Sequence, residues 1–143
     1  MNLENRVYPE EDQIEALRQP GPDGPIVMVN LLKFRERATY ADGRADAISG
    51  REAYYRYADE VQKLLEGVGG RVLYSGTASW LMLGRIDALW DEVALAEYPN
   101  RAALLRLATS PECRAIAVHR EAGLEGQLNI ETVPSSRGLL GRR

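Results

Sequence analysis

The chain predicts an α+β fold of the split βαβ kind, and three observations carry that prediction. From Ile26 onward, four short apolar segments and two long amphipathic ones run in the order strand, helix, strand, strand, helix, strand. Helix starts are written out at Ser49 with Glu52, at Asn100, and at Ser110-Pro111-Glu112. At 143 residues the chain suits one domain, and a domain of that size buries roughly two-thirds of its unfolded-chain surface.

Pro9 to Arg18 reads as a short helix with Ile14 and Leu17 on one face and acids in the first turn. The run Gln19-Pro20-Gly21-Pro22-Asp23-Gly24-Pro25 stops it, because its prolines and glycines cannot continue a helix. Residues 1–25 are therefore read as an N-terminal helix and linker ahead of a domain at 26–133. Ile26 to Phe34 is the first strand, nearly all apolar except for Asn30. Arg35 to Ile48 has no period and is expected to be a long, partly mobile loop.

Ser49 and Glu52 form a capping box for the next helix, in which each side chain satisfies a backbone N–H of the other. Tyr54, Tyr57, Ala58, Val61, Leu64 and Leu65 lie on its apolar face, and Gly67 is a natural stop. Arg71 to Ser75 and Ser79 to Leu83 read as extended, with a break near Gly76, and Glu92 to Tyr98 is a further strand. Asn100 caps a helix carrying Ala103, Leu104, Leu107 and Ala108 inward, and Ser110-Pro111-Glu112 restarts it to about Glu121. Leu124 to Val133 alternates as the last strand. Residues 134–143, with two glycines, are expected to be a flexible tail. The strand and helix order is that of an antiparallel, four-stranded ferredoxin-like βαββαβ domain.

Composition narrows the function classes. Hydrophobic residues make up 45% and charged residues 27% of the chain, a globular mixture needing no disulfide or metal staple. The one cysteine, Cys113, allows no intrachain disulfide and suits a reducing compartment. A net charge of −3 offers no basic footprint for nucleic acid. Acids and a proline stand where a signal peptide needs an apolar stretch, and no apolar run approaches the roughly 20 residues that span a bilayer. The expectation is a cytoplasmic protein without nucleic-acid or membrane partners.

Glycine, tyrosine and capping motifs now form a recognisable series. Gly70-Arg71-Val72-Leu73, Glu97-Tyr98-Pro99-Asn100, Ala103, Ser110-Pro111-Glu112 and His119-Arg120 resemble domain-of-unknown-function family 1330, and Tyr54 and Tyr57 fit the same pattern. The resemblance spans about Ile26 to Val133. Two departures stand out: Cys113 occupies a commonly aromatic position, and residues 35–48 look like an insertion. The resemblance implies a dimeric α/β barrel, in which two four-stranded sheets face each other. Relatives in that superfamily include cofactor-free monooxygenases, isomerases and haem proteins, so the fold implies no single chemistry.

The pattern itself also leads to a homodimer. Four strands with two main helices leave one sheet face bare, and two-fold pairing is the commonest way to cover it. Strict alternation puts Val27, Val29, Leu31, Val72, Tyr74, Ala94, Ala96, Tyr98, Leu128 and Ile130 under the helices. Asn30, Ser75, Glu97 and Asn129 then fall on the bare face, where they either line a small-molecule cavity between the sheets or make interface hydrogen bonds. Tyr54 and Tyr57 are expected to pack in the core, and Tyr54, nearer the start of its helix, is the one that could reach the mouth of such a cavity.

Glu97 is the best single candidate for a general base, with a tyrosine as the alternative proton carrier, since partial burial raises a carboxylate pKa, although ion pairing with Arg71 is the favoured reading. His119, the only histidine, is expected in a surface or capping role near a helix end, favoured in its charged form. Cys113 is expected to pack as a buried thiol, with a lowered pKa at its helix start as the alternative. Trp80 and Trp90 suit dimer or core packing. No zinc spacing, phosphate loop, nucleophile elbow or dinucleotide fingerprint is present, so no metal and no cofactor are expected. The leading reading is a homodimer binding a small molecule. A cofactor-independent monooxygenase or isomerase, and a ligand-free structural or regulatory dimer, are the alternatives.

Overall fold

Each long helix begins where a side chain takes over a free backbone N–H. The computed structural model describes residues 3–135, so the expected tail lies outside the described residues from 136 on. Helix α1 spans Glu11–Leu17, and strand β1 spans Ile26–Phe34. Helix α2, Gly50–Gly67, opens on the predicted box: Glu52 N donates to Ser49 Oγ at 3.0 Å and Ser49 N to Glu52 Oε1 at 3.3 Å. It hands over to β2, Arg71–Thr77, through Gly69, whose φ of 85° falls in the left-handed region open to glycine. Strand β3 is Glu92–Tyr98, and Asn100 caps α3, Arg101–Ala108, by accepting from Ala103 N at 2.9 Å. Ser110 caps α4, Pro111–Gly123, which passes directly into β4, Leu124–Thr132.

The four strands form one antiparallel sheet in the order β2-β3-β1-β4. β2 and β3 are neighbours, whereas β1 and β2, like β3 and β4, have another strand between them, so each of the two helical crossovers carries the chain past one strand. This is the ferredoxin-like α+β arrangement. The core lies between sheet and helices, with Ile26, Met28 and Tyr98 packed on Leu65, Ala103 and Leu107. Leu32, Phe34 and Leu124 form a second cluster, joined by Tyr54 and by Val7 of the N-terminal segment. Arg6 pairs with Gln127 on the outer edge of β4. The N-terminal segment thus contacts the sheet as well as supplying α1.

Three expectations are corrected. Residues 79–83 are not a strand; β2 runs through Gly76 to Thr77 and residues 78–91 are loop. The 35–48 loop is pinned rather than loose: Ala38 N donates to Ile48 O, Thr39 N donates to Ala122 O, and Tyr40 is buried against Ala53 and Ala122. The third correction is the facing of the strands. In β1 the even residues Ile26, Met28, Leu32 and Phe34 pack under the helices, so Asn30 shares that side and Val27, Val29 and Leu31 face out. In β3 the expected facing holds, with Ala96 and Tyr98 in the core.

Both edge strands carry a bulge, which explains the rest of the difference. In β4, Lys33 pairs with Gly126 but Phe34 pairs with Leu124, so Glu125 is an extra residue. In β2, Val72 pairs with Ala96 but Tyr74 pairs with Leu95, so Leu73 is extra. One unpaired residue reverses the facing of everything beyond it. Leu124 is therefore in the core while Leu128 and Ile130 turn outward, and Val72 lies on the helix side while Tyr74 turns outward. The outer face is accordingly apolar, whereas Gln127, Asn129 and Glu131 are directed toward the helices.

Candidate functional site

The polar residues of β4 meet the helix layer at two arginines. Arg120, in the last turn of α4, donates through Nη2 to Gln127 Oε1 at 2.8 Å, and Gln127 Nε2 donates to Asn30 Oδ1 at 2.7 Å. Asn30 Nδ2 in turn reaches the carbonyls of Met28 and Ala94, each at 3.3 Å. This chain carries a guanidinium through two amides into the sheet. Toward the other end of β4, Arg101 at the start of α3 grips Glu131 with two bonds, of 2.6 and 2.8 Å, and holds that carboxyl below the usual carboxylate range. Asn129 stands between these two clamps, exposed, opposite Asn30 in register, and with no side-chain hydrogen bond among the described residues.

Tyrosines line the helix side of the same region. A contact between Gly50 and Gly123 brings the start of α2 onto the end of α4; a Cβ at Gly123 would strike the Gly50 carbonyl and sit 2.8 Å from Tyr54 N. That approach stacks Tyr54 between Phe34 and Tyr57, with ring centroids 5.3 and 5.4 Å away. Burial pushes the Tyr54 and Tyr98 phenols up to about 12, and for Tyr54 the positive Arg120 acts the other way. Tyr57 is raised for the same reason, and burial raises the Cys113 thiol while the Tyr57 hydroxyl opposes that rise. Cys113 is thus the packed thiol, not an activated one. Among the described residues no buried side-chain nitrogen or oxygen lacks a partner. Among the described residues the Tyr54 and Tyr98 hydroxyls make no hydrogen bond to the protein.

The five sequence candidates do not converge. Asn30, Asn129 and Ser75 lie on the helix side of the sheet, not on the bare face, because β1 is phased one residue away from the expected facing and the two bulges rephase β2 and β4. Asn30, Asn129 and Tyr54 belong to the region just described. Ser75 is exposed on the edge strand β2, across from Ala94. Glu97 is on the opposite face, where it accepts from Arg71 Nε at 2.9 Å, the pairing favoured from sequence.

Gln127 and Arg120 were not singled out as site residues. The signal was Gly126, since a glycine inside a strand marks a bulge and so a reversal of facing. His119 is also corrected. Its Nδ1 lies 2.8 Å from the Tyr40 hydroxyl, which accepts from Arg56, and burial together with Arg44 and Arg56 lowers its pKa. Its contact with Tyr40 fastens the 35–48 loop.

Chemically, the region offers donors and neutral phenols. A cation, two amides and unionised hydroxyls suit a small ligand bearing carbonyl or carboxylate oxygens, and provide no nucleophile. Among the described residues no group of three or more His, Cys, Asp or Glu could hold a metal ion, and no helix is long and apolar enough to cross a membrane. A surface hollow of about 450 Å³ lies apart from this region at residues 81–87, and another of about 470 Å³ borders it, lined by Phe34, Arg51 and Glu125.

The class of the molecule is set by its topology: a ferredoxin-like α+β domain with an open antiparallel sheet. Residues 38–132 match the family described as "Domain of unknown function (DUF1330)", and the chain belongs to that family. Solved structures agree. The methylated RPA0582 protein is 34% identical over 94% of this chain and 98% of its own, with a TM-score of 0.85. The RPA0582 protein of unknown function from Rhodopseudomonas palustris gives 32% identity, coverage of 92% and 98%, and a TM-score of 0.83. At3g17210 from Arabidopsis thaliana shares the fold at 14% identity, with 81% and 99% covered and a TM-score of 0.50. No curated protein matches the chain.

Proposed function

We propose that this protein is a homodimer that binds a small oxygen-bearing molecule on the helix side of each sheet, at Asn129, Asn30 and Tyr54. The bulge at Glu125 carries the proposal, because it turns the polar residues of β4 beneath the helices and its apolar residues onto the bare face. The bare face, with Val27, Val29, Leu31, Leu95, Leu128 and Ile130, supports pairing with a second copy, since a face of that character is seldom left to water in a monomer. Asn129 supports a ligand contact, as an unbonded amide between two arginine clamps. Ser75 and Glu97 stand outside this site, and Glu97 with Arg71 would border the dimer interface.

Thermal-shift and equilibrium-dialysis measurements with a panel of small carboxylates and hydroxy-ketones test the ligand. Binding by the wild type that Asn129→Ala abolishes, with the melting temperature of the free protein unchanged, is the expected result. Binding indifferent to both Asn129→Ala and Gln127→Ala would remove this site. Sedimentation tests the dimer separately, and a monomer throughout the micromolar range would remove that part.

A further inference from the structure

The loop joining β2 to β3 points its largest apolar side chains at water. Leu83 is 88% exposed, Met82 81% and Trp80 75%, and Leu81 and Ile86 also stand above a third. Single exposed hydrophobics are ordinary, but an unbroken Trp80-Leu81-Met82-Leu83 run is a surface that lacks its cover. Nothing in the domain's own core calls for it, since β2 has already ended at Thr77 and β3 begins only at Glu92.

We propose that residues 80–83 are an arm that packs on a second copy of this chain, with each copy giving one arm and receiving one. The proposal rests on the dimer reading above and adds to it the element that makes the interface large enough. Strands of seven to nine residues in four rows give a flat footprint of roughly 500 Å². Stable interfaces take roughly 800 Å² from each partner, so sheet against sheet alone falls short. Trp80 by itself can bury on the order of 150 Å².

Continuity points to the same occupant. Leu73 and Tyr74, 43% and 58% exposed, belong to β2, the strand that runs into the loop, and Tyr74 turns to the bare face beside Leu95, so the exposed apolar residues of loop and face share one strand. Gly84, with φ of 93°, turns the tip, and beneath it Leu81, Arg85, Ile86 and Asp87 surround a hollow of about 450 Å³. A two-fold interface is self-complementary, so the arm of one copy and the hollow of the other can be used reciprocally. Charge argues against an anionic lipid surface as the occupant. Arg85 is the one cation in residues 78–91, against Asp87 and Asp91, whereas such surfaces are recognised by clusters of Lys and Arg.

The chain has two tryptophans, so Trp90→Phe leaves Trp80 as the only reporter. Its emission and acrylamide quenching are followed over a dilution series in parallel with sedimentation of the full-length protein. The expected result is a blue-shifted, protected Trp80 in the dimer that becomes water-exposed as the dimer dissociates. Trp80→Ser combined with Leu83→Ser should weaken self-association by roughly 30-fold or more while leaving the circular dichroism of the monomer unchanged. A dimer in which Trp80 stays exposed, and which the double substitution does not weaken, overturns the arm and leaves the dimer reading standing. Absence of any self-association overturns both. A blue shift seen only when phosphatidylglycerol vesicles are added to a monomer overturns the arm in favour of a lipid contact.

Discussion

Gln127 and Leu128 are chain neighbours, yet the first is bonded to Arg120 and Asn30 beneath the helices and the second faces outward opposite Leu31. The same division runs through the sheet. The covered face holds polar groups, most of them tied down: Glu92 to Arg51 and Tyr55, Glu131 to Arg101, and Gln127 to Arg120 and Asn30, with Asn129 the exception. The outward face holds valines, leucines and an isoleucine with little to pair them except Lys33 with Asp91 and Arg71 with Glu97. A monomer would hide its polar residues least and its apolar residues most. The reversal makes sense when the outward face is covered by another copy and the inward polar groups are used, because buried polar atoms cost on the order of 1–3 kcal/mol each when unpaired.

The bulge is where this contrast breaks most completely. Deleting Glu125 removes the extra residue and forces Gln127, Asn129 and Glu131 to exchange faces with Leu128 and Ile130. The expected cost is more than about 4 kcal/mol, the range reached when a core and a polar network are disrupted together. Urea denaturation measures it, and a loss below about 1 kcal/mol would show that the register tolerates either facing.

Leu95→Glu attacks the outward face alone. It places a carboxylate mid-face on β3, opposite Val29 and Tyr74, and in the proposed two-fold interface would bring two like charges together. Such juxtaposition costs several kcal/mol, so if the proposed dimer forms, sedimentation should show it for the wild type and a folded monomer for the variant. An unchanged dimer would put the interface elsewhere.

The phenols sharpen the covered side. Tyr54 and Tyr98 titrate at about 12 in the folded protein, above the ordinary value of about 10. A raised pKa of this kind stabilises the fold fully below the unfolded value, and that contribution is lost as pH rises toward the folded one. Stability should therefore fall between about pH 10 and 12, by up to roughly 3 kcal/mol per phenol. Phenolate absorbance should lag behind that of free tyrosine over the same range. Normal titration of both residues would mean that water reaches them freely. The smallest effect belongs to Arg71→Ala. Its partner Glu97 is partly buried but Arg71 is 69% exposed, so the expected change in monomer stability is below about 1 kcal/mol.

Much of the scaffold was legible residue by residue. The Ser49–Glu52 box, the Asn100 and Ser110 caps and the strand at Glu92–Tyr98 all stand as the sequence predicts, because capping and short-range spacing are local chemistry. Residues 79–83 read as a strand since apolar content alone cannot tell a strand from an exposed arm. The site was half legible. Asn30, Tyr54 and Asn129 stand out as polar or amphipathic groups in apolar elements, whereas nothing in their own residue types marks Gln127 and Arg120, and strict alternation groups Glu97 with residues that the fold puts on the other face.

What the sequence by itself determined is the order of elements, the helix ends and the family, each readable from a few adjacent residues. Which side of the sheet each strand turns to the helices was decided only in the tertiary structure. β1 is apolar at nearly every position and so carries no period to phase it, while in β2 and β4 a single bulged residue reverses the facing of all that follow. Pairing across the sheet chooses the bulge, and that choice places the polar and apolar halves of β4.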